Sequence, residues 1–151
     1  MDFQTSVKTC LTQKYATFSG RGSRSEFWWF MLAYFIGMLV VSLVPLLPTL
    51  YVIALFVPVL AAGFRRMQDT GRPGWYFVIP SIYNLLMRIF GVGQVEMHPE
   101  TGMPMEMPST GGMMVSALLG LIGLVLAIVF IYWLTRPSEP EPNAYGAPPQ
   151  A

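Results

Sequence analysis

Hydrophobic positions in this chain come in long unbroken blocks, unlike the alternation of a half-buried strand or the single stripe of a soluble helix. From Phe27 to Phe64 there are 38 consecutive residues without a charge. A helix needs roughly 20 apolar residues to cross the hydrocarbon core, so this block predicts two spans. Pro45 and Pro48 fall near its middle, where a hairpin needs its turn. Spans are therefore expected over 27–47 and 49–64. Met113 to Thr135, 23 uncharged residues, predicts another over 113–135. Pro73 to Met87 supplies only 15 residues before Arg88. It crosses, over 73–92, if Arg88 extends toward headgroups; the alternative is a re-entrant or interfacial segment.

Ahead of the first block, residues 1–26 carry a different pattern. Phe3, Val7, Leu11, Tyr15 and Phe18 recur at helical spacing, with Lys8, Thr12 and Lys14 off the stripe. This predicts an amphipathic helix lying in the membrane interface, with a soluble partner-binding helix as the alternative. The run that follows is far longer than the apolar core of a cleavable signal peptide, and no small-residue cleavage site follows it closely. Cys10 reads as a small apolar residue near the stripe.

Composition narrows the class. The chain of 151 residues is 54% hydrophobic and 11% charged, against roughly 25% charged in ordinary soluble proteins. That excludes a typical soluble enzyme and a disordered chain, and a single Cys excludes a disulfide scaffold. A net charge of +1 leaves no nucleic-acid footprint. Placement of the few charges says more than their total. Lys8, Lys14, Arg21, Arg24, Arg65, Arg66, Arg72 and Arg136 all fall on one face of a four-span chain, and only Arg88 on the other. The positive-inside rule then predicts both termini in the cytoplasm. Trp28, Trp29, Trp75 and Trp133 fall at the same span ends, as interfacial aromatics should.

Two polar segments flank the spans on that face: Ser19-Gly20-Arg21-Gly22-Ser23-Arg24-Ser25-Glu26 and Arg65-Arg66-Met67-Gln68-Asp69-Thr70-Gly71-Arg72-Pro73-Gly74-Trp75. Ser23 and Glu26 have capping-box spacing, predicting reciprocal satisfaction of free amides at the start of the first span. The second segment predicts a turn centred on Asp69-Thr70-Gly71, with Pro73 suited to the first position of the next helix. Both use Arg and no Lys, and Arg binds carboxylate or phosphate in a bidentate fork. The candidate site is thus a cluster of Arg21, Arg24, Glu26, Arg65, Arg66, Asp69 and Arg72. In it Asp69 and Glu26 each meet an Arg of the other segment, leaving positive charge for lipid phosphate. The alternative is that these residues only anchor the topology.

The run from Tyr15 through Phe18-Ser19-Gly20-Arg21-Gly22-Ser23-Arg24-Ser25-Glu26 to Phe30 resembles the opening of the bacterial inner-membrane family called domain of unknown function 805. Arg65-Arg66-x-x-Asp69-Thr70-Gly71-Arg72-x-Gly74-Trp75 resembles its second hallmark, and Pro142-Asn143-Ala144-Tyr145-Gly146 its tail. The resemblance spans nearly the whole chain and implies a multi-span inner-membrane protein with no established activity. The family often has His where Gln68 stands, Ser where Pro73 stands and Arg where Ala144 stands.

Catalytic chemistry finds little footing. Asp69-Thr70-Gly71 spells an aspartic-protease triplet but lies between helices, outside the paired β-framework such an enzyme needs. One His and one Cys cannot make a zinc site, and no cofactor is implied. Asn84, the one strongly polar side chain within a span, is expected to bond across helices. A loop over 93–112 is richer in Met, holding Met97, His98, Met103, Met105 and Met107. Such thioethers beside an imidazole suit Cu(I) or Ag(I), which gives an alternative reading as a small transport or metal-handling protein. Ser116, Gly120, Gly123 and Ala127, and likewise Ala33 and Gly37, supply small-residue packing faces. The tail over 136–151 holds five Pro after Arg136 and is expected to be disordered or extended, a possible contact strip.

The expectation is an all-α polytopic membrane protein: a four-helix transmembrane bundle with an N-terminal interfacial amphipathic helix, non-enzymatic, in the bacterial inner membrane. Its Arg-rich cytoplasmic surface would engage anionic phospholipids or a membrane-protein partner.

Overall fold

Ser23 opens the first long helix: its Oγ accepts the Glu26 amide at 3.1 Å, and the chain is helical from Arg24 to Val41 (α2). The computed structural model describes residues 1–90 and 109–149, and among these the regular structure is helical apart from one isolated bridge between Asn143 and Gly146. Ahead of α2 lies a short helix, Phe3–Lys8 (α1), capped by Asp2 and continued by a π-helical turn over Thr9–Gln13. After α2 come α3 (Leu47–Asp69), a 3-10 turn over Gly74–Val78, α4 (Ile79–Ile89) and α5 (Thr110–Thr135). The Met-rich set Met97, His98, Met103, Met105 and Met107 lies outside the described residues.

Among the described residues three helices, α2, α3 and α5, are long and apolar enough to cross a membrane. The turn between α2 and α3 falls at 42–46, so Pro45 sits in it while Pro48 is in the first turn of α3, where a missing N–H costs nothing. The second long helix does not stop at Phe64 but continues to Asp69. Arg65 and Arg66 are thus helical, which the partners described below make affordable. Helix over the expected 73–92 span runs from Gly74 to Ile89, the first five residues as 3-10.

Two compact units divide the chain: Met1–Phe77 with Tyr132–Ala151, and Val78–Ile131. In the first, Tyr51 donates to the Tyr34 carbonyl at 3.0 Å and stacks on its ring, while Gly37 leaves room for that phenol. Buried apolar side chains (Phe27, Phe30, Ala61, Ala62, Met67) gather near the start of α2 and the end of α3. Toward the opposite helix ends Leu39, Val40, Leu50 and Ile53 are exposed, as lipid-facing groups are. The buried face of the N-terminal helix is Ser6, Thr9 and Cys10. The expected helical stripe is cut short: helix ends at Gln13, so only Phe3, Val7 and Leu11 of it are helical. Tyr15 and Phe18 lie beyond the helix against α3, Tyr15 on Ala54 O and Phe18 on the Phe64 ring.

Pro58 lies inside α3 and has no N–H to give the carbonyl four residues back, Ala54. The Tyr15 hydroxyl fills that vacancy, donating to Ala54 O at 2.7 Å.

In the second unit, the Tyr83 hydroxyl donates to the Leu119 carbonyl and its ring lies against Gly123. Of the small-residue face, Gly123 is therefore packed while Gly120 faces open space. Asn84 bonds back to the Pro80 carbonyl of its own helix at 2.8 Å, not across helices, because its amide reaches the preceding turn directly. Leu118, Leu121, Leu124, Val125 and Ile128 of α5 are exposed. A helix apolar on every side and uncovered by protein is a membrane span, and the chain is an all-α membrane protein.

Candidate functional site: a buried arginine–carboxylate cluster

The end of α3 is shaped by a Schellman closure. Arg72 N–H donates to Met67 O at 3.1 Å and Gly71 N–H to Gln68 O at 3.2 Å, with Gly71 in the left-handed region at φ 72°. This closure turns the chain sharply after Asp69 and leaves Arg65, Arg66 and Asp69 on one buried end of the helix.

Each of three arginines joins a carboxylate to carbonyls of a distant segment. Arg65 grips Glu26 Oε1 through Nε at 3.2 Å and NH2 at 2.9 Å, while NH1 donates to the carbonyls of Lys14 at 3.1 Å and Thr17 at 2.8 Å. Its last donor reaches Cys10 Sγ at 3.5 Å. Arg21 donates from Nε to Asp69 Oδ1 at 3.0 Å, and its terminal nitrogens donate to the carbonyls of Asp69, Glu139, Glu141 and Gly146. A guanidinium has five N–H donors, and both of these use all five inside the protein. Arg66 takes Asp69 Oδ2 at 2.6 Å and caps the last turn of α5, donating to the carbonyls of Leu134 and Arg136. Carbonyls at a helix end have no partner within the helix, so this satisfies groups that lipid could not.

Glu26 departs from the expected capping box. Ser23 accepts the Glu26 amide as expected, but the carboxylate turns to Arg65 and to Lys14 Nζ, 3.4 Å away, instead of back to Ser23. A buried charge-assisted pair outweighs a bond to one amide.

Five of the seven candidate residues therefore converge: Arg21, Glu26, Arg65, Arg66 and Asp69, all buried. Arg24 and Arg72 stand apart. Arg24, the first residue of α2, is exposed. Arg72 donates to Thr70 O at 3.1 Å and lies over the Trp133 ring, 5.1 Å from its centroid.

Of the two expectations for the tail, the described residues show the extended contact strip and not disorder. Asn143 closes a tight turn with Gly146, exchanging N–H···O bonds at 3.1 and 3.0 Å, and its side-chain amide donates to Gln68 O at 3.0 Å and Glu139 Oε2 at 2.7 Å. Ser138 donates to Asp69 Oδ2, and Glu139 N–H to Asp69 O at 3.1 Å. Extended, Pro-rich backbone leaves its carbonyls unpaired, and Arg21 and Arg66 consume them. Lys14, Ser138, Gln68 and Asn143 were thus missing from the sequence-derived cluster. Gln68 stood inside the second Arg-containing motif and Asn143 inside the tail motif; Lys14 and Ser138 offered no such signal.

Beside the cluster, burial pushes the Cys10 thiol up to about 11, the Glu26 carboxylate adding to the shift. Among the described residues no three His, Cys, Asp or Glu gather as a metal site.

Known proteins place this arrangement in context. The family described as protein of unknown function (DUF805) matches residues 15–147. The chain is 36% identical over 89 residues to inner membrane protein YhaI of Escherichia coli K12, covering 52% of this chain and 75% of that protein. It is 34% identical over 93 residues to inner membrane protein YhaH of the same strain, covering 52% and 77%. No solved structure matches.

Proposed function

This chain belongs to the family of proteins of unknown function (DUF805), and we propose that it is a non-enzymatic, multi-pass inner-membrane protein built around a charge latch with a lipid-facing cationic rim. The latch of Arg21, Arg65, Arg66, Glu26 and Asp69 ties the N-terminal segment, the end of α3 and the tail together. The rim is Lys8, Arg24, Arg72 and Arg136, which would meet anionic phospholipid headgroups or the acidic surface of a membrane partner.

One observation carries the division of labour: Arg21 and Arg65 spend all five donors inside the protein, so lipid contact falls to exposed Lys8, Arg24 and Arg136 and half-buried Arg72. Exposed Trp28, Trp29 and Trp75 near them suit a headgroup interface. Exposed Phe3 on α1, with Lys8 in its last turn, supports an interfacial N-terminal helix.

Contacts within the cluster also support four crossings. Arg66, at the end of α3, caps the end of α5, so the two helices finish on the same side. If both cross, the chain between Asp69 and Thr110 must return once, and among the described residues the helical stretch over 74–89 is the segment available. Both termini, which belong to the cluster side, would then be cytoplasmic.

The lipid reading is tested with purified protein in nanodiscs of phosphatidylcholine, titrating phosphatidylglycerol and following thermal stability. Stability should rise with the anionic fraction, and Lys8→Gln with Arg24→Gln should remove most of the rise. No rise in the native protein, or an undiminished rise in the variant, overturns it. Fluorescent and alkaline-phosphatase fusions at the C-terminus test the topology. Fluorescence without phosphatase activity is expected, and the reverse rejects the four-span arrangement.

A further inference from the structure

A cavity of about 190 Å³ opens beside the latch, lined by Thr70, Arg72, Arg136, Pro137 and Glu139. Its charges differ from those of the latch. Arg21, Arg65 and Arg66 each hold a carboxylate, whereas Arg72 and Arg136 form no ion pair among the described residues. Arg72 spends one donor on Thr70 O, and Arg136 spends one on the Tyr132 hydroxyl at 3.4 Å. Both guanidiniums lie over aromatic rings, Arg72 on Trp133 at 5.1 Å and Arg136 on Tyr132 at 5.7 Å, which holds them in place and leaves further N–H groups to give.

Glu139 lines the same cavity and closes on neither arginine. Its Oε2 accepts from Asn143 at 2.7 Å, which fixes the carboxylate while leaving it without a cationic partner. Two unneutralised guanidiniums and one unneutralised carboxylate around one small space suit a zwitterion. The forks suit a phosphodiester and the carboxylate a primary ammonium. The volume is below the ~300 Å³ at which pockets for drug-sized ligands begin, so it suits a headgroup and not an acyl chain.

We propose that this cavity is a phosphoethanolamine headgroup site, with Arg72 and Arg136 on the phosphate and Glu139 on the ammonium. This rests on the reading of half-buried Arg72 and exposed Arg136 as lipid-facing, and it gives these two rim cations a zwitterionic headgroup in place of an anionic one. Choline headgroups offer Glu139 no N–H donor, and glycerol headgroups no cation, so both should bind less well.

Native mass spectrometry of the full-length protein, released from micelles holding phosphatidylethanolamine, phosphatidylglycerol and phosphatidylcholine of identical acyl chains, tests it. One retained phosphatidylethanolamine is expected, at least tenfold preferred over phosphatidylcholine and severalfold over phosphatidylglycerol. Glu139→Gln, which keeps an acceptor for Asn143, should erase that preference while phosphate-dependent binding persists. Arg72→Gln with Arg136→Gln should lower retention of all three, with an unchanged circular dichroism spectrum. Preferred retention of phosphatidylglycerol that ignores Glu139→Gln overturns the ethanolamine assignment and leaves the lipid reading standing. Equal retention of all three lipids by the native protein overturns both. Glycerophosphoethanolamine should compete only at about a hundredfold higher concentration than the lipid; equal competition would reassign the site to a free phosphoamine.

Discussion

Arg21 and Asp69, 48 positions apart, meet at 3.0 Å between Nε and Oδ1 with side-chain exposures of 1% and 0%. The other oxygen of Asp69 is held by Arg66 at 2.6 Å. One carboxylate thus sits between two guanidiniums, and the tail lies over them as a strip of carbonyl acceptors. Removal of the carboxylate leaves two buried cations facing each other, so the pair is worth more to the fold broken than its Coulomb attraction alone.

Asp69→Asn should therefore destabilise the protein by about 3–5 kcal/mol, read as a lowered midpoint of thermal or denaturant unfolding in micelles. Swapping charges with Arg21→Asp and Asp69→Arg should not restore stability, because the new arginine would face Arg66. The swap Glu26→Arg with Arg65→Glu should recover part of the loss, since the other cation at Glu26 is Lys14, 37% exposed and 3.4 Å away. Arg24→Asp combined with Asp69→Arg should couple far more weakly, Arg24 being exposed and forming no ion pair with Asp69 among the described residues. Full rescue by the first swap would disprove the shared-carboxylate geometry.

The docked tail depends on Arg21, which donates to three tail carbonyls, those of Glu139, Glu141 and Gly146. In Arg21→Gln these acceptors lose their donors, and the segment after Arg136 should become a protease substrate while the native tail resists. Asn143→Ala, which removes the bonds to Gln68 O and Glu139, should act in the same direction more weakly. Equal cleavage rates in native and Arg21→Gln protein would show that the tail is held by something else.

What the residues disclosed and what they hid have physical causes. Uncharged runs report span positions because lipid excludes charge over a fixed thickness, and α2, α3 and α5 fall where those runs lie. The pairing of each segment's carboxylate with the other's arginine could be framed because Glu26 and Asp69 are the acids beside those arginines. Which arginine met Asp69 could not, since Arg21 and Arg24 differ only in where the helix begins: Arg24 is its first residue and faces outward. Of the two expectations for the tail, disordered or an extended contact strip, the described residues show the second, and composition alone did not choose because it is silent about donors elsewhere. Those donors came from Arg21 and, at the Arg136 carbonyl, from Arg66.

Gly71 and Gly20 separate backbone strain from crowding. Both have positive φ, 72° and 97°. A Cβ at Gly20 would meet nothing within 4 Å, whereas one at Gly71 would run into the Glu139 carboxylate. Gly20→Ala should cost about 1–2 kcal/mol, the left-handed penalty alone. Gly71→Ala should cost clearly more, and it should displace Glu139 from the cavity it lines. Equal unfolding midpoints for the two variants would contradict this.

Alkaline stability reports the Cys10 environment. Its folded-state thiol is raised from 9.0 to about 11, first by burial and then by Glu26. Between those pH values the folded protein keeps a proton that the unfolded chain has lost. The contribution is therefore fully present below pH 9 and lost as pH rises toward 11, on the order of 2 kcal/mol in all. Cys10→Ala should flatten the stability profile over that window, measured against native protein so that Lys and Tyr titration cancels. At pH 8 the native thiol should also resist maleimide until the protein is unfolded. An identical alkaline slope in Cys10→Ala would reject the assignment.

Tyr15 and Pro58 are predicted to be energetically coupled although no contact between them is required. Proline at 58 strips the Ala54 carbonyl of its helical donor, and the Tyr15 hydroxyl supplies a replacement at 2.7 Å. In the native background, Tyr15→Phe leaves that carbonyl unsatisfied on a helix with lipid-facing neighbours, a loss of about 1–3 kcal/mol. Pro58→Ala restores the backbone N–H, so a second substitution Tyr15→Phe should then cost a few tenths of a kcal/mol at most. The double-mutant cycle, read from unfolding midpoints in micelles, should return a coupling close to the whole cost of Tyr15→Phe. Additive effects would mean that the phenol contributes by ring packing alone, and that the proline gap in α3 is satisfied by some other donor.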